Sequence, residues 1–216
     1  MKSHIKTICY WLGWWVCRVF CILFFRLRFE GLDNVPRKGP VVLVSNHQSF
    51  LDPLFCGVGL KRQIHFMARD TLFTNRFFGA ILSSVKAVPV KRGQADLSAI
   101  RKIIAALKAG GSACLFPEGT RTPDGRIADF KPGFGLLCRK SNASIVPVLI
   151  DGAFERWPKG KRVFSPGPVA VCYGKAIACK KLFDTDDKAL AATLTDTLRK
   201  MQNCYRLRQG KQGYIY

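Results

Sequence analysis

The chain has 216 residues, 48% of them hydrophobic, which supplies a core for one domain and excludes a disordered chain. Lys plus Arg number 35 against 14 Asp plus Glu, and the resulting formal charge of +21 points to a polyanionic partner: nucleic acid, an anionic membrane face or phosphorylated small molecules. Nine cysteines without a C-x-x-C pair argue for free thiols in a reducing compartment, and with only His4, His47 and His65 as histidines there is no credible metal-ligand cluster.

The first predicted element is helical. Between Ile8 and Phe25 only Arg18 is charged, and the run has about the length a membrane span needs. No small-residue cleavage site follows, so it does not read as a signal peptide. Trp11, Trp14 and Trp15 suit the headgroup level. Arg18 would be costly at a bilayer centre. A helix lying in one leaflet fits better than a full span or a buried helix of a soluble protein. Residues 1–27 are therefore expected to form a hydrophobic membrane-anchoring segment and 28–216 the main domain.

Downstream, apolar and β-branched runs predict strands at Val41–Val44, Val85–Val90, Ala113–Phe116, Ile145–Ile150 and Val169–Tyr173. Leu97, Ile100, Ile103, Ile104 and Leu107 keep helical spacing, as do Leu190, Leu194, Leu198, Met201 and Tyr205. Strands alternating with helices predict an α/β domain with a mixed sheet flanked by helices, its chemistry in loops beyond strand ends. Basic residues are scattered along the surface, and no nucleic-acid reading module is recognisable.

Two such loops hold unusual residues. The first follows PVVLV and reads SNHQSFLDP. His47 and Asp52 are five residues apart, about 500° on one helix, so they meet only if a turn separates them. Ser49 as N-cap and Pro53 in a first helical turn would supply that turn. The pair would then be a general base with an orienting carboxylate. The alternative is a capping interaction, with Asp52 reaching back to the helix start.

The second loop follows ACLF and reads PEGTRT. Gly119 lets backbone N–H groups approach a ligand, Thr120 adds a hydroxyl and Arg121 a fork suited to phosphate oxygens. Glu118 would bind a substrate hydroxyl or hold an arginine. The alternative is a surface turn with an exposed Arg.

Asn46-His47-Gln48-Ser49-Phe50-Leu51-Asp52, then Phe116-Pro117-Glu118-Gly119-Thr120-Arg121, resembles the glycerolipid acyltransferases, in particular the 1-acylglycerol-3-phosphate (lysophosphatidic acid) acyltransferases. Lys86–Arg92 and Ile145–Val148 are similar to two further blocks of that family, in the same order. The resemblance implies a single glycerolipid-acyltransferase-like α/β domain docked on a membrane by N-terminal helices. It implies His47 as base and Asp52 as its partner. It implies a substrate-phosphate site at Arg121, Gly119 and Thr120, with Arg92 as a second contact and Glu118 positioning the acceptor.

The implied reaction moves an acyl group from acyl-CoA or acyl carrier protein to the free hydroxyl of 1-acylglycerol 3-phosphate, giving phosphatidic acid in phospholipid synthesis. No metal or cofactor is needed, the donor being a substrate. Expected partners are lysophosphatidic acid, the acyl thioester on coenzyme A or acyl carrier protein, and membrane lipids, without nucleic acid. The enzyme is expected at a membrane, its active site on the cytoplasmic side. Other acceptors of the superfamily (glycerol 3-phosphate or another lysolipid) stay open, as does a non-catalytic protein that binds acidic lipid.

Overall fold

Five apolar runs and two less regular segments assemble into one seven-stranded sheet. The computed structural model describes residues 2–76, 79, 82, 83, 86–90 and 96–216. In chain order the strands are β1 (Arg28–Glu30), β2 (Val41–Ser45), β3 (Ile64–Arg69), β4 (Ala87–Val90), β5 (Ser112–Leu115), β6 (Ser144–Asp151) and β7 (Ala170–Tyr173). The helices are α1 (Lys2–Phe25), α2 (Asp52–Val58), α3 (Leu97–Lys108), α4 (Phe134–Ser141), α5 (Ala153–Arg156) and α6 (Asp187–Arg208). All five expected strands are present; Val85, the first residue of one, lies outside the described residues.

The order across the sheet is β1-β7-β6-β2-β5-β3-β4. Neighbours run parallel except β6 and β7, which are antiparallel, so the sheet is mixed. β2 is central and every residue in it is buried. Its side chains alternate between two cores, as a strand covered on both faces requires. Val42 and Val44 pack with Ile103 and Leu107 of α3 and Leu194 and Leu198 of α6. Val41 and Leu43 pack with Phe55 of α2 and Cys21 and Phe25 of α1. The expected stripe is the buried face of α6, whereas on α3 Ile103 and Leu107 are buried and Leu97, at the first turn, is 61% exposed. Asp96 and Asp186 cap these helices, each accepting from two backbone N–H groups of the first turn.

β1 and β3 are the strands that periodicity does not predict. β1 has three residues, and in IHFMAR only Ile64 is fully buried, so neither run has a clear period of two.

α1 docks on α2 by one face. Trp14 Nε1 donates to Gly57 O at 3.2 Å, and the Arg18 guanidinium donates to Val58 O at 2.6 Å while lying over the Trp14 and Phe29 rings. The charge that argued against a simple span is therefore paired with protein. Trp14, expected at the headgroup level, is buried in the docked face; Trp15 points outwards. Leu12, Trp15, Val16, Val19 and Leu23 leave the opposite face apolar and exposed. Among the described residues no helix is long and apolar enough to cross a membrane.

Candidate active site

β2 and β5 are parallel neighbours, so their C-terminal ends lie side by side. His47 follows one and Phe116 the other, and the two rings stack at 4.3 Å with 25° between their planes. This juxtaposition is the reason both unusual loops share one edge of the sheet.

The turn after β2 brings the acid to the imidazole. His47 Nδ1 lies 2.8 Å from Asp52 Oδ2. The same oxygen accepts the backbone N–H groups of Gln48 at 2.5 Å and Ser49 at 2.7 Å. One carboxylate oxygen therefore both closes the turn and contacts the ring. Ser49 is not the N-cap. α2 begins at Asp52 with Leu51 in the cap position, and Ser49 Oγ reaches only Leu51 N at 3.4 Å. Pro53 sits in the first turn, as expected. Asp52 is wholly buried, whereas the His47 side chain keeps 21% of its exposure. With Nδ1–H donated to Asp52, Nε2 carries the free lone pair.

Asn46 and Gln48 hold this turn from behind. The Asn46 amide donates to Ile150 O at 2.9 Å and accepts from Ile150 N at 2.8 Å, locking the exit of β2 to β6. The Gln48 amide donates to Gly125 O at 3.1 Å and accepts from Phe154 N at 3.2 Å.

Glu118 ties the two loops together. Its Oε1 accepts His47 N–H at 2.6 Å and its Oε2 accepts Ala128 N–H at 3.1 Å. Both of its oxygens are thus engaged by backbone N–H groups of the loops that it joins. Burial pushes its carboxyl up to about 7, against the opposing pull of those two hydrogen bonds. Because the folded protein then binds a proton that the unfolded chain releases near 4.5, Glu118 favours the fold below about pH 4.5, and that contribution is lost as pH rises towards 7. Glu118→Gln should remove this slope. Thermal unfolding across pH 4 to 8 is the measurement: the deficit of the variant is expected to be largest at the acid end and to narrow by pH 8.

Gly119 has φ +73°, and a Cβ there would come within 3.2 Å of Lys131 Nζ. Lys131 was not singled out in the sequence; its N–H bond to Pro117 O at 3.1 Å folds it back over the turn. Thr122 N–H donates to His47 O at 2.8 Å, so the neighbouring Arg121 is held close to the His47 turn. Arg121 is half-buried, and among the described residues its guanidinium has no hydrogen-bond or ion-pair partner. Thr120 is exposed; the hydroxyl that shapes the loop is that of Thr122, bonded to Asp124 and to the N–H of Gly125. Arg92 lies outside the described residues.

α6 supplies a support that motif reading missed. Gln202, fully buried, donates to Gly125 O at 3.1 Å, while Arg199 donates to Ile127 O at 2.9 Å and pairs with Asp129. Tyr216 accepts Ile127 N–H at 3.3 Å and donates to Gln202. The sequence signal is that Gln202, like Thr195, is a polar residue on the mostly apolar inward stripe of the helix.

A mixed α/β sheet thus sets a carboxylate–imidazole pair at the C-terminal ends of its parallel strands, with Arg121 in the adjoining loop. The Acyltransferase family model matches residues 26–151. The chain belongs to this family, and within it to the 1-acyl-sn-glycerol-3-phosphate acyltransferases. It is 34% identical over 158 residues to the chloroplastic 1-acyl-sn-glycerol-3-phosphate acyltransferase LPAT1 of Arabidopsis thaliana, covering 71% of this chain and 44% of that protein. It is 30% identical over 169 residues to the 1-acyl-sn-glycerol-3-phosphate acyltransferase of Bacillus subtilis, covering 78% and 82%. The crystal structure of the 1-acyl-sn-glycerophosphate acyltransferase PlsC from Thermotoga maritima superposes with a TM-score of 0.78 at 25% identity, covering 93% of this chain and 82% of that one. The matches to the two chloroplastic plant relatives span less than half of those proteins' own length.

Proposed function

We propose that this protein transfers an acyl group from an acyl thioester, on coenzyme A or acyl carrier protein, to the free hydroxyl of 1-acylglycerol 3-phosphate, making phosphatidic acid. The observation that carries this reading is the 2.8 Å contact between His47 Nδ1 and Asp52 Oδ2, which leaves Nε2 as the available base. Arg121, with the Gly119 turn and Arg92, holds the acceptor phosphate and sets the hydroxyl against Nε2. His47 takes the hydroxyl proton as the oxygen attacks the thioester carbonyl. The carbon–oxygen bond forms, a tetrahedral oxyanion develops, and backbone N–H groups near the two loops stabilise it. The carbon–sulfur bond then breaks, and the leaving thiolate takes the proton back from the imidazolium. Asp52 stabilises that imidazolium. No step requires a metal or a cofactor.

The exposed apolar face of α1 supports placing the enzyme on one leaflet, where acceptor and donor chains are available. The active site then faces the cytoplasm, whose reducing conditions keep the thiols free.

The test is a panel of labelled acyl-CoA and acyl carrier protein donors against three acceptors: 1-acylglycerol 3-phosphate, glycerol 3-phosphate and a lysophospholipid with a substituted phosphate. Fastest transfer to the first is expected. Equal or faster transfer to glycerol 3-phosphate would reassign the acceptor, and no transfer to any would end the enzymatic reading. In the same assay, Arg121→Ala should raise the acceptor KM by about 10- to 100-fold, the loss of one charge-assisted phosphate contact, with little change in donor KM. An unchanged acceptor KM would move the phosphate site elsewhere.

A further inference from the structure

The segment between α5 and β7 is held in place more firmly than a surface loop needs to be. Ser165 N–H donates to Arg156 O at 2.8 Å and closes its base. Trp157 Nε1 donates to Lys161 O at 2.9 Å and folds its tip. Its returning limb is bonded to the end of α1: Gly167 N–H to Phe24 O and Val169 N–H to Phe25 O, both at 2.9 Å. The position of the tip is therefore fixed relative to α1.

What the tip presents is amphipathic. Val163 is 73% exposed, a cost in water with no return inside the domain. Lys159, Lys161 and Arg162 are exposed around it, and none has an ion-pair partner among the described residues. Phe164 packs edge-on against Phe20 and Phe24 at 5.8 and 5.9 Å, which makes the loop continuous with the exposed apolar face of α1. On its other side Trp157 meets Phe50 at 5.5 Å, three residues beyond His47.

We propose that residues 157–164 form a second membrane-contact element, which sets Val163 into the lipid interface and Lys159, Lys161 and Arg162 against anionic headgroups. One apolar residue ringed by three cations, beside a helix face that is itself apolar, matches the interface of an anionic bilayer. Contact through α1 and through the adjoining loop, which meets Phe50, would fix the tilt of the domain and turn the His47 edge towards the lipid surface. This inference rests on reading the outer face of α1 as the lipid-facing one, and the test separates the two.

The full chain is floated with vesicles of phosphatidylcholine alone, or of phosphatidylcholine mixed with phosphatidylglycerol. Lys159→Glu/Lys161→Glu/Arg162→Glu should weaken binding to the mixed vesicles by about 100-fold or more, as expected for three basic residues at an anionic surface, and the loss should shrink in high salt. Val163→Asp should weaken binding to both vesicle types. Thermal unfolding and acyl transfer in detergent micelles should stay at the parent level for both variants. Leu23→Asp reports on α1 alone. If it weakens binding while the loop variants bind within twofold of the parent, the loop proposal is overturned and the reading of α1 stands. If neither weakens binding, both fall. Unchanged vesicle binding with selective loss of transfer from acyl carrier protein also overturns the proposal, and makes the loop a protein-docking surface instead.

Discussion

His47→Ala is expected to lower kcat by about 10²- to 10⁴-fold, the usual contribution of a positioned general base, while leaving the acceptor KM within a few-fold. The ring is only partly buried and stacks on Phe116, so its removal costs little packing. The turn also survives, because Asp52 Oδ2 still accepts from Gln48 N and Ser49 N. A normal unfolding temperature with transfer near background is the expected pair of readings. Transfer within tenfold of the parent would remove the base from the mechanism.

Asp52→Ala should have the second large effect, and it should strike both activity and stability. One buried oxygen serves three donors. Leaving two backbone N–H groups and an imidazole unpaired in a dry site should cost about 3–5 kcal/mol of stability, as breaking a buried charged contact does. The loss of kcat should approach that of His47→Ala, because the imidazole loses both its orientation and the charge that stabilises its protonated form. The double variant His47→Ala/Asp52→Ala should transfer little more slowly than His47→Ala alone, since the two residues act as one unit. Additive losses would show that Asp52 acts by some route other than His47. The stability loss, read by denaturant unfolding, should persist in the double variant, because the Gln48 and Ser49 donors remain without their acceptor.

How much of this was legible depended on distance along the chain. His47 and Asp52 could be paired from the sequence because five residues and a turn bound the geometry tightly. The cap assignment within the same turn failed, since Ser49 and Asp52 were both chemically able to serve and only the folded backbone decides which oxygen the N–H groups reach. Glu118 was visible as a residue of interest, but its partners were not. His47 N lies 71 positions away from it, and the bond exists only because β2 and β5 are neighbours. Gln202 and Arg199 were invisible for the same reason: a polar side chain on a helix stripe does not announce the loop 72 or 77 residues upstream that it supports. The same holds for α1. Its apolar run was plain, but which tryptophan faces protein and which faces outward became clear only when Gly57 supplied a partner for Trp14.

Order along the chain was enough to read five of the seven strands, two amphipathic helices and the two unusual loops at strand exits, because periodicity and short-range turn geometry are local properties. Folding decided everything that needs two distant segments to meet. The parallel pairing of β2 with β5 brought the loops together and set Glu118 against the backbone of the His47 turn, and the packing of α6 placed Arg199 and Gln202 behind the loop that follows β5. The physical reason is that a hydrogen bond has a reach of about 3 Å, and only tertiary packing brings groups seventy residues apart within it.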